Sequence, residues 1–135
     1  MGMKEAVVSV LNNYANFSGR ARRSEYWYFF LFNLLVGLVF AVLISIPREG
    51  SALYRIISGL SSLYSLAVFV PGLAVAWRRL HDIGRSGAYW FFNLIPLVGW
   101  IFVLVWLVRE GDHGDNAYGS DPKQDYRYDY DYREY

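Results

Sequence analysis

The chain has 135 residues, 55% of them hydrophobic and 19% aromatic, with 13 Lys or Arg against 12 Asp or Glu. That length makes one domain. The absence of cysteine excludes disulfide and thiol chemistry, and a net charge of +1 gives no reason to expect a nucleic-acid partner.

Lys4 to Phe17 reads as an amphipathic helix. Val7, Val10, Leu11, Tyr14 and Phe17 recur at three- and four-residue steps, while Asn12, Asn13 and Asn16 fall elsewhere. It is too short and polar to span a bilayer, so it is expected at the membrane surface or packed on the bundle. Phe17-Ser18-Gly19 breaks it, and Arg20, Arg22 and Arg23 follow.

Three windows then lack any Asp, Glu, Lys or Arg: 26–46, 56–77 and 86–108, each 21 to 23 residues long. A bilayer core of about 30 Å needs roughly 20 helical residues, so each qualifies as a span. The first, 26–46, stops at Pro47. The second, about 53–77, contains Pro71-Gly72, a pair that kinks membrane helices. Small residues recur along it at four-residue spacing, Ser58 with Ser62, Ser61 with Ser65, and Gly72 with Ala76, which suits close helix contact. RRLHDIGRSG, Arg78 to Gly87, leads into the third, 88–108, with Pro96 as a second expected kink. Past Arg109 the chain is polar, and 123–135 is a Tyr/Asp-rich tail of disordered type. The expected fold is all-α and polytopic: three transmembrane helices and an N-terminal amphipathic interfacial helix, in one membrane domain over 1–122.

Lys and Arg in short flanking segments mark the cytoplasmic side. Residues 1–25 hold four basic groups and 78–87 three, whereas 109–135 holds eight acidic ones. Three spans then place the N-terminus and RRLHDIGRSG in the cytoplasm and the C-terminus outside, with Trp27, Trp77 and Trp90 at the inner boundary and Trp106 near the outer one.

Three motifs resemble those of a bacterial membrane family called domain of unknown function 805. They are Phe17-Ser-Gly19-Arg20-Ala-Arg22-Arg23-Ser-Glu25-Tyr26-Trp27, the run Arg78 to Gly87, and Gly111, Gly114, Asn116, Gly119, Asp121 and Pro122. The resemblance covers about 5–122. It implies a small polytopic protein of the bacterial inner membrane, and it implies no activity.

Six arginines, Arg20, Arg22, Arg23, Arg78, Arg79 and Arg85, form a candidate face for anions or lipid. Three readings of RRLHDIGRSG stand side by side. Its arginines anchor on lipid head groups; or they grip a specific anion or partner with forked donors; or they pair internally with Glu25 or Asp82. His81-Asp82 has the residue types of a proton shuttle or metal pair. A metal needs three or four ligands, though, and His113 falls across the membrane in this topology. Glu25, His81, Asp82, Gly84, Gly87, Asn116 and Asp121 are therefore read as structural polar and turn residues. Asp112, Asp115, Asn116 and Asp121 offer oxygens to a cation without the spacing of a calcium loop. No catalytic residue, metal ligand or cofactor is assigned.

No Asp, Glu, Lys, Arg or His lies inside the windows 26–46, 56–77 and 86–108, which argues against a self-contained ion-coupled carrier. The function expected is a non-enzymatic interaction or accessory module. Its partners are anionic membrane lipids, a membrane protein or further copies of the chain. An oligomeric transport or channel component is the alternative, and a lipid-modifying enzyme comes third.

Overall fold

The computed structural model describes residues 1–123. The Tyr/Asp-rich tail beyond Lys123 lies outside the described residues. Four α-helices occur, α1 (Met3–Asn12), α2 (Arg23–Ser45), α3 (Ala52–Asp82) and α4 (Val98–Val108), with a 3-10 helix, Gly87–Leu94, before α4.

Among the described residues, helices α2 and α3 are the two elements long and apolar enough to cross a membrane. At 1.5 Å per residue, the 23 residues of α2 reach about 34 Å and the 31 of α3 about 46 Å. The longer helix therefore outruns a bilayer core of about 30 Å. Its apolar run stops at Trp77, and its last turn, 78–82, stands beyond it. Ser51 caps its start by accepting from the Tyr54 N–H at 3.2 Å. Its end is a Schellman turn. Arg85 N–H donates to Leu80 O and Gly84 N–H to His81 O, both at 3.0 Å, with Gly84 at φ +75°. That left-handed position is why a glycine follows the Leu-His-Asp-Ile run.

Pro71 sits inside α3 without ending it. Lacking an N–H, it leaves the carbonyl of Ala67, four residues back, without its helical donor. The Tyr14 hydroxyl donates to that carbonyl. The proline turn of α3 is thereby tied to the segment just after α1. Val10, Ala21, Phe29 and Val75 form the apolar cluster beneath, with Val7 and Val68 packed against it. Helix α1 is thus packed on the α2–α3 pair, one of the two placements expected for it. Asn33 joins the two long helices by accepting from the Tyr64 hydroxyl at 2.6 Å. Gly72 faces Phe29 of α2. Ser62 and Ser65 instead bond their own helix at Ser58 O and Ser61 O and are exposed.

The third apolar window departs from expectation. It is not one helix over 88–108. The 3-10 helix runs eight residues, about 16 Å at 2.0 Å per residue, and α4 runs 11 residues, also about 16 Å. Between them Ile95-Pro96-Leu97 reverses the chain, with Leu97 at φ +60°. Trp100 Nε1 donates to Asn93 O at 2.9 Å across the turn. Gly99 lies so close that a Cβ there would run into the Phe92 carbonyl. Each arm is half the length a span needs, and both outer ends return to the end of α3. A Cβ on Gly87 would occupy the Trp77 indole, and Leu107 O accepts from Arg79. Leu80, Ile83, Val103, Trp106 and Leu107 close the cluster under this hairpin, with Tyr26, Trp27, Tyr89 and Trp90 around it. Trp106, expected near the outer boundary, packs instead with Leu80 and Ile83 at the end of α3.

Candidate functional site, a buried arginine–carboxylate knot

Four segments converge at the end of α3: the loop before α2, the first turn of α2, residues 78–85, and the chain after α4. Asp82 is the centre. Its Oδ1 accepts from Arg20 Nε at 3.0 Å and its Oδ2 from Arg79 Nη1 at 2.8 Å. Beside them Arg78 Nη1 donates to Glu25 Oε1 at 2.9 Å, which also accepts from Ser9 Oγ at 3.0 Å. All five charged side chains are buried.

Three guanidiniums against two carboxylates leave one excess positive charge, and backbone carbonyls absorb it. Arg20 donates further to Gly114 O and Asp112 O, each at 2.6 Å, and to Asp82 O at 3.3 Å and Gly119 O at 3.4 Å. Arg79 donates to Leu107 O at 3.1 Å and to Arg109 O. Those last two carbonyls belong to the C-terminal end of α4, where the helix dipole favours a cation. Arg78 Nε donates to Asn16 O at 3.1 Å. Charge-assisted bonds of this kind are about twice as strong as neutral ones.

The chain after α4 is held from several sides. Asp112 N–H donates to Asp82 O at 2.7 Å. Asn116 Nδ2 reaches both His81 O at 2.9 Å and Asp112 Oδ2 at 3.0 Å. Asp121 accepts from Gly114 N–H and Lys123 N–H. Gly111 packs on the Asp82 carboxylate with no room for a Cβ. The His81 ring stacks on Tyr118 with centroids 4.1 Å apart and planes 5° from parallel. Its Nδ1 meets Gly19 O at 2.9 Å. A carbonyl only accepts, so Nδ1 carries the proton and the ring has no free donor on that side. Burial lowers the His81 pKa below the ordinary imidazole value, with the Gly19 bond opposing. Burial likewise lowers Arg79 to about 10, with Asp82 opposing. It raises the Asp82 carboxyl, with Arg79 and Arg20 opposing.

The six arginines therefore divide. Arg20, Arg78 and Arg79 are interior and take protein acceptors, the internal-pairing alternative, and they offer no face to an outside anion. Arg22, Arg23 and Arg85 remain half-exposed. The Arg85 guanidinium stands 4.9 Å from the Trp106 ring centre and 5.4 Å from that of Tyr89. The expectation that 109–122 lies across the membrane from RRLHDIGRSG is corrected by the same contacts. Arg20 and Asp82 bond Asp112 and Gly114 directly, so this segment and the loop share one side.

The motif around Arg20–Trp27, the run 78–87 and the turn 111–121 thus meet in one knot, and a family match covers the first two and the third as far as residue 120. The family described as "Protein of unknown function (DUF805)" matches residues 14–120. The chain belongs to that family. Similar DUF805 relatives include inner membrane protein YhaI of Escherichia coli (strain K12), 49% identical over 121 residues, 86% of this chain and 93% of the relative. Inner membrane protein YhaH of the same strain is 40% identical over 119 residues, 86% of this chain and 94% of the relative. No solved structure matches the chain.

Ser9 and Tyr118 are participants that sequence reasoning passed over, while Tyr14 was read only as a helix-face residue and Asp112 only as a candidate cation donor. Helix-face spacing places Ser9 and Tyr14 near the core without naming a partner. The excess of buried arginine over carboxylate is the signal that further acceptors exist. Most of those acceptors are backbone carbonyls, which leave no trace in residue identity.

Proposed function

We propose that this DUF805 protein is a non-enzymatic accessory module of the bacterial inner membrane. In this reading α2 and α3 are its two spans, and residues 87–108 form a hairpin that enters the bilayer and returns. Both ends of 1–123 then lie in the cytoplasm, and the knot holds hairpin, α1 and the following turn as one cytoplasmic cap. The observation that carries the reading is the internal pairing of the knot, where Arg78 Nη2 is the one guanidinium nitrogen of Arg20, Arg78 and Arg79 without a partner among the described residues. Arg20 and Arg79 spend their donors on Asp82 and backbone carbonyls, and His81 is stacked and bonded. No group there is poised to attack or to transfer a proton to a substrate. The apolar faces of α2 and α3, exposed along Leu34, Leu38, Val42, Leu63 and Leu66, meet lipid or a membrane partner.

Charge supports the orientation. Lys4, Arg20, Arg22, Arg23, Arg78, Arg79, Arg85, Arg109 and Lys123 lie toward the knot, against Arg48 and Arg55 at the opposite loop. An excess of Lys and Arg marks the cytoplasmic side. The relatives' names, inner membrane proteins, agree with the location. The chain has no cysteine, so single cysteines at Ser18, Glu49 and Ser120 report cleanly. Impermeant thiol reagents on sealed, right-side-out vesicles label Glu49→Cys alone. Labelling of Ser120→Cys but not Ser18→Cys contradicts the two-span reading.

A further inference from the structure

A groove of about 320 Å³ runs down the outer face of α2, lined by Arg23, Ser24, Trp27, Tyr28 and Leu31. Its chemistry is graded. The top is basic and hydrogen-bonding, and the rest is aromatic and aliphatic. From Arg23 to Leu31 is eight residues, about 12 Å of helix, the depth from a phosphate to the upper part of an acyl chain. The donors at the top are unspent. Arg22, at the cap of α2, makes no side-chain hydrogen bond to the first turn. Arg22 Nε and Ser24 Oγ, like Arg78 Nη2 and Arg85 Nε, are screened from solvent and have no partner among the described residues; Ser24 lines the groove and Arg22 adjoins it in sequence. Arg23 has one long bond, Nη1 to Val108 O at 3.4 Å. These side chains contrast with Arg20 and Arg79 next to them, whose donors are used. No carboxylate lines the groove, because Glu25 is committed to Arg78 and Ser9.

We propose that this groove binds one anionic phospholipid, its phosphate at Arg23 and Ser24, with Arg22 beside them at the rim, and an acyl chain along Trp27, Tyr28 and Leu31. The proposal rests on the inner-membrane reading above and deepens it. The charge match commits the head group to an anion. The apolar wall below commits the anion to a lipid rather than to a free phosphate. Two guanidinium forks and a hydroxyl suit a phosphate's oxygens, whereas a zwitterionic head gains less from them.

The test uses the full chain, purified in detergent and reconstituted in nanodiscs of phosphatidylcholine with increasing phosphatidylglycerol. Retained lipid is read by native mass spectrometry. The wild type retains phosphatidylglycerol over phosphatidylcholine. Arg23→Ala and Arg22→Ala each lower that preference about fivefold, from the usual contribution of one basic residue at an anionic surface. Lysine at either position restores part of it. Leu31→Trp blocks chain entry and lowers retention while leaving the head-group donors in place. Arg48→Ala, at the opposite loop, changes nothing. Thermal unfolding of each variant checks that the fold persists.

Equal retention of the two lipids by the wild type overturns the proposal. So does an unchanged preference in the Arg22→Ala, Arg23→Ala double variant. Inorganic phosphate or glycerophosphate at millimolar concentration displacing the lipid from wild type, with Leu31→Trp inert, identifies a soluble-anion site and overturns the lipid assignment. Arg23→Ala altering the oligomer mass while lipid occupancy stays fixed assigns the groove to a second copy instead. None of these outcomes changes the vesicle labelling pattern, so failure here is separable from failure of the two-span reading.

Discussion

Replacing Asp82 by alanine removes the one carboxylate that two buried guanidiniums share. Side-chain exposure is 1% for Arg20, 0% for Arg79 and 3% for Asp82. Taking one partner from a buried ion pair costs about 3–5 kcal/mol, because the remaining charge keeps its desolvation penalty. Here two charges are left facing each other, which pushes the cost up. Arg20 keeps its bonds to Gly114 O and Asp112 O, and Arg79 keeps Leu107 O and Arg109 O, which pulls it down. The expectation is about 3–4 kcal/mol for Asp82→Ala. Asp82→Asn keeps the shape and one acceptor oxygen and loses the charge, so about 1.5–3 kcal/mol is expected, the range for bonds to charged groups. Chemical unfolding in a mixed micelle measures both. Limited trypsin digestion supplies the local readout: the Arg109 side chain is already exposed, and loss of the Arg79 bond to its carbonyl frees the backbone there for cleavage before the spans unfold. A change below about 0.5 kcal/mol in Asp82→Ala, with Arg109 still protected, would refute the idea that this carboxylate holds the cap together.

Tyr14→Phe leaves the Ala67 carbonyl without a donor beside Pro71 and is expected to cost about 1 kcal/mol, read as faster trypsin cleavage after Lys4. Gly87→Ala forces a methyl into Trp77; overpacking of this kind costs about 1–3 kcal/mol, measured as a lower midpoint of thermal unfolding. For pH, the folded His81 pKa is depressed by burial, so the unfolded chain binds the proton more readily. Its contribution is whole above the ordinary histidine value near 6.5 and falls as pH drops through it. The stability difference between wild type and His81→Gln therefore shrinks below about pH 6, and a difference that grows on acidification contradicts the assignment.

The two long spans were legible because uninterrupted apolar length is a property of sequence alone. The turn at Gly84 was legible too, since a glycine after Leu-His-Asp-Ile is a helix stop, although the apolar pattern ended the span at Trp77 and α3 continues to Asp82. The third window passed the same length test and still folds as a hairpin. Length counts charge-free residues and is blind to a reversal at Ile95-Pro96-Leu97, where a proline permits either a kink or a turn. The error then propagated. With 88–108 taken as a span, Asp112, Asn116 and Tyr118 fell on the wrong side of the membrane from Arg20 and His81. The arginines consequently lacked visible partners and looked like an exposed face. Internal pairing with Glu25 or Asp82 was readable from charge matching. The carbonyls that complete it, Leu107 O, Asp112 O and Gly114 O, belong to the fold and not to any residue type.

The central claim is that the chain comes back after α4 and closes on the loop before α2. A Cβ at Gly119 would lie 3.9 Å from Gly19 Cα. One residue in each chain adds about 3.8 Å, so cysteines at Ser18 and Ser120 fall within about 15 Å of each other, against a hydrocarbon core of about 30 Å. A membrane-permeant bis-maleimide of matching reach, added to native membranes before any detergent, is predicted to join residues 18 and 120 within one chain, as detected by mass spectrometry of the digested protein. Absence of that intramolecular cross-link, with both cysteines reactive singly and labelled from opposite faces, would contradict the account.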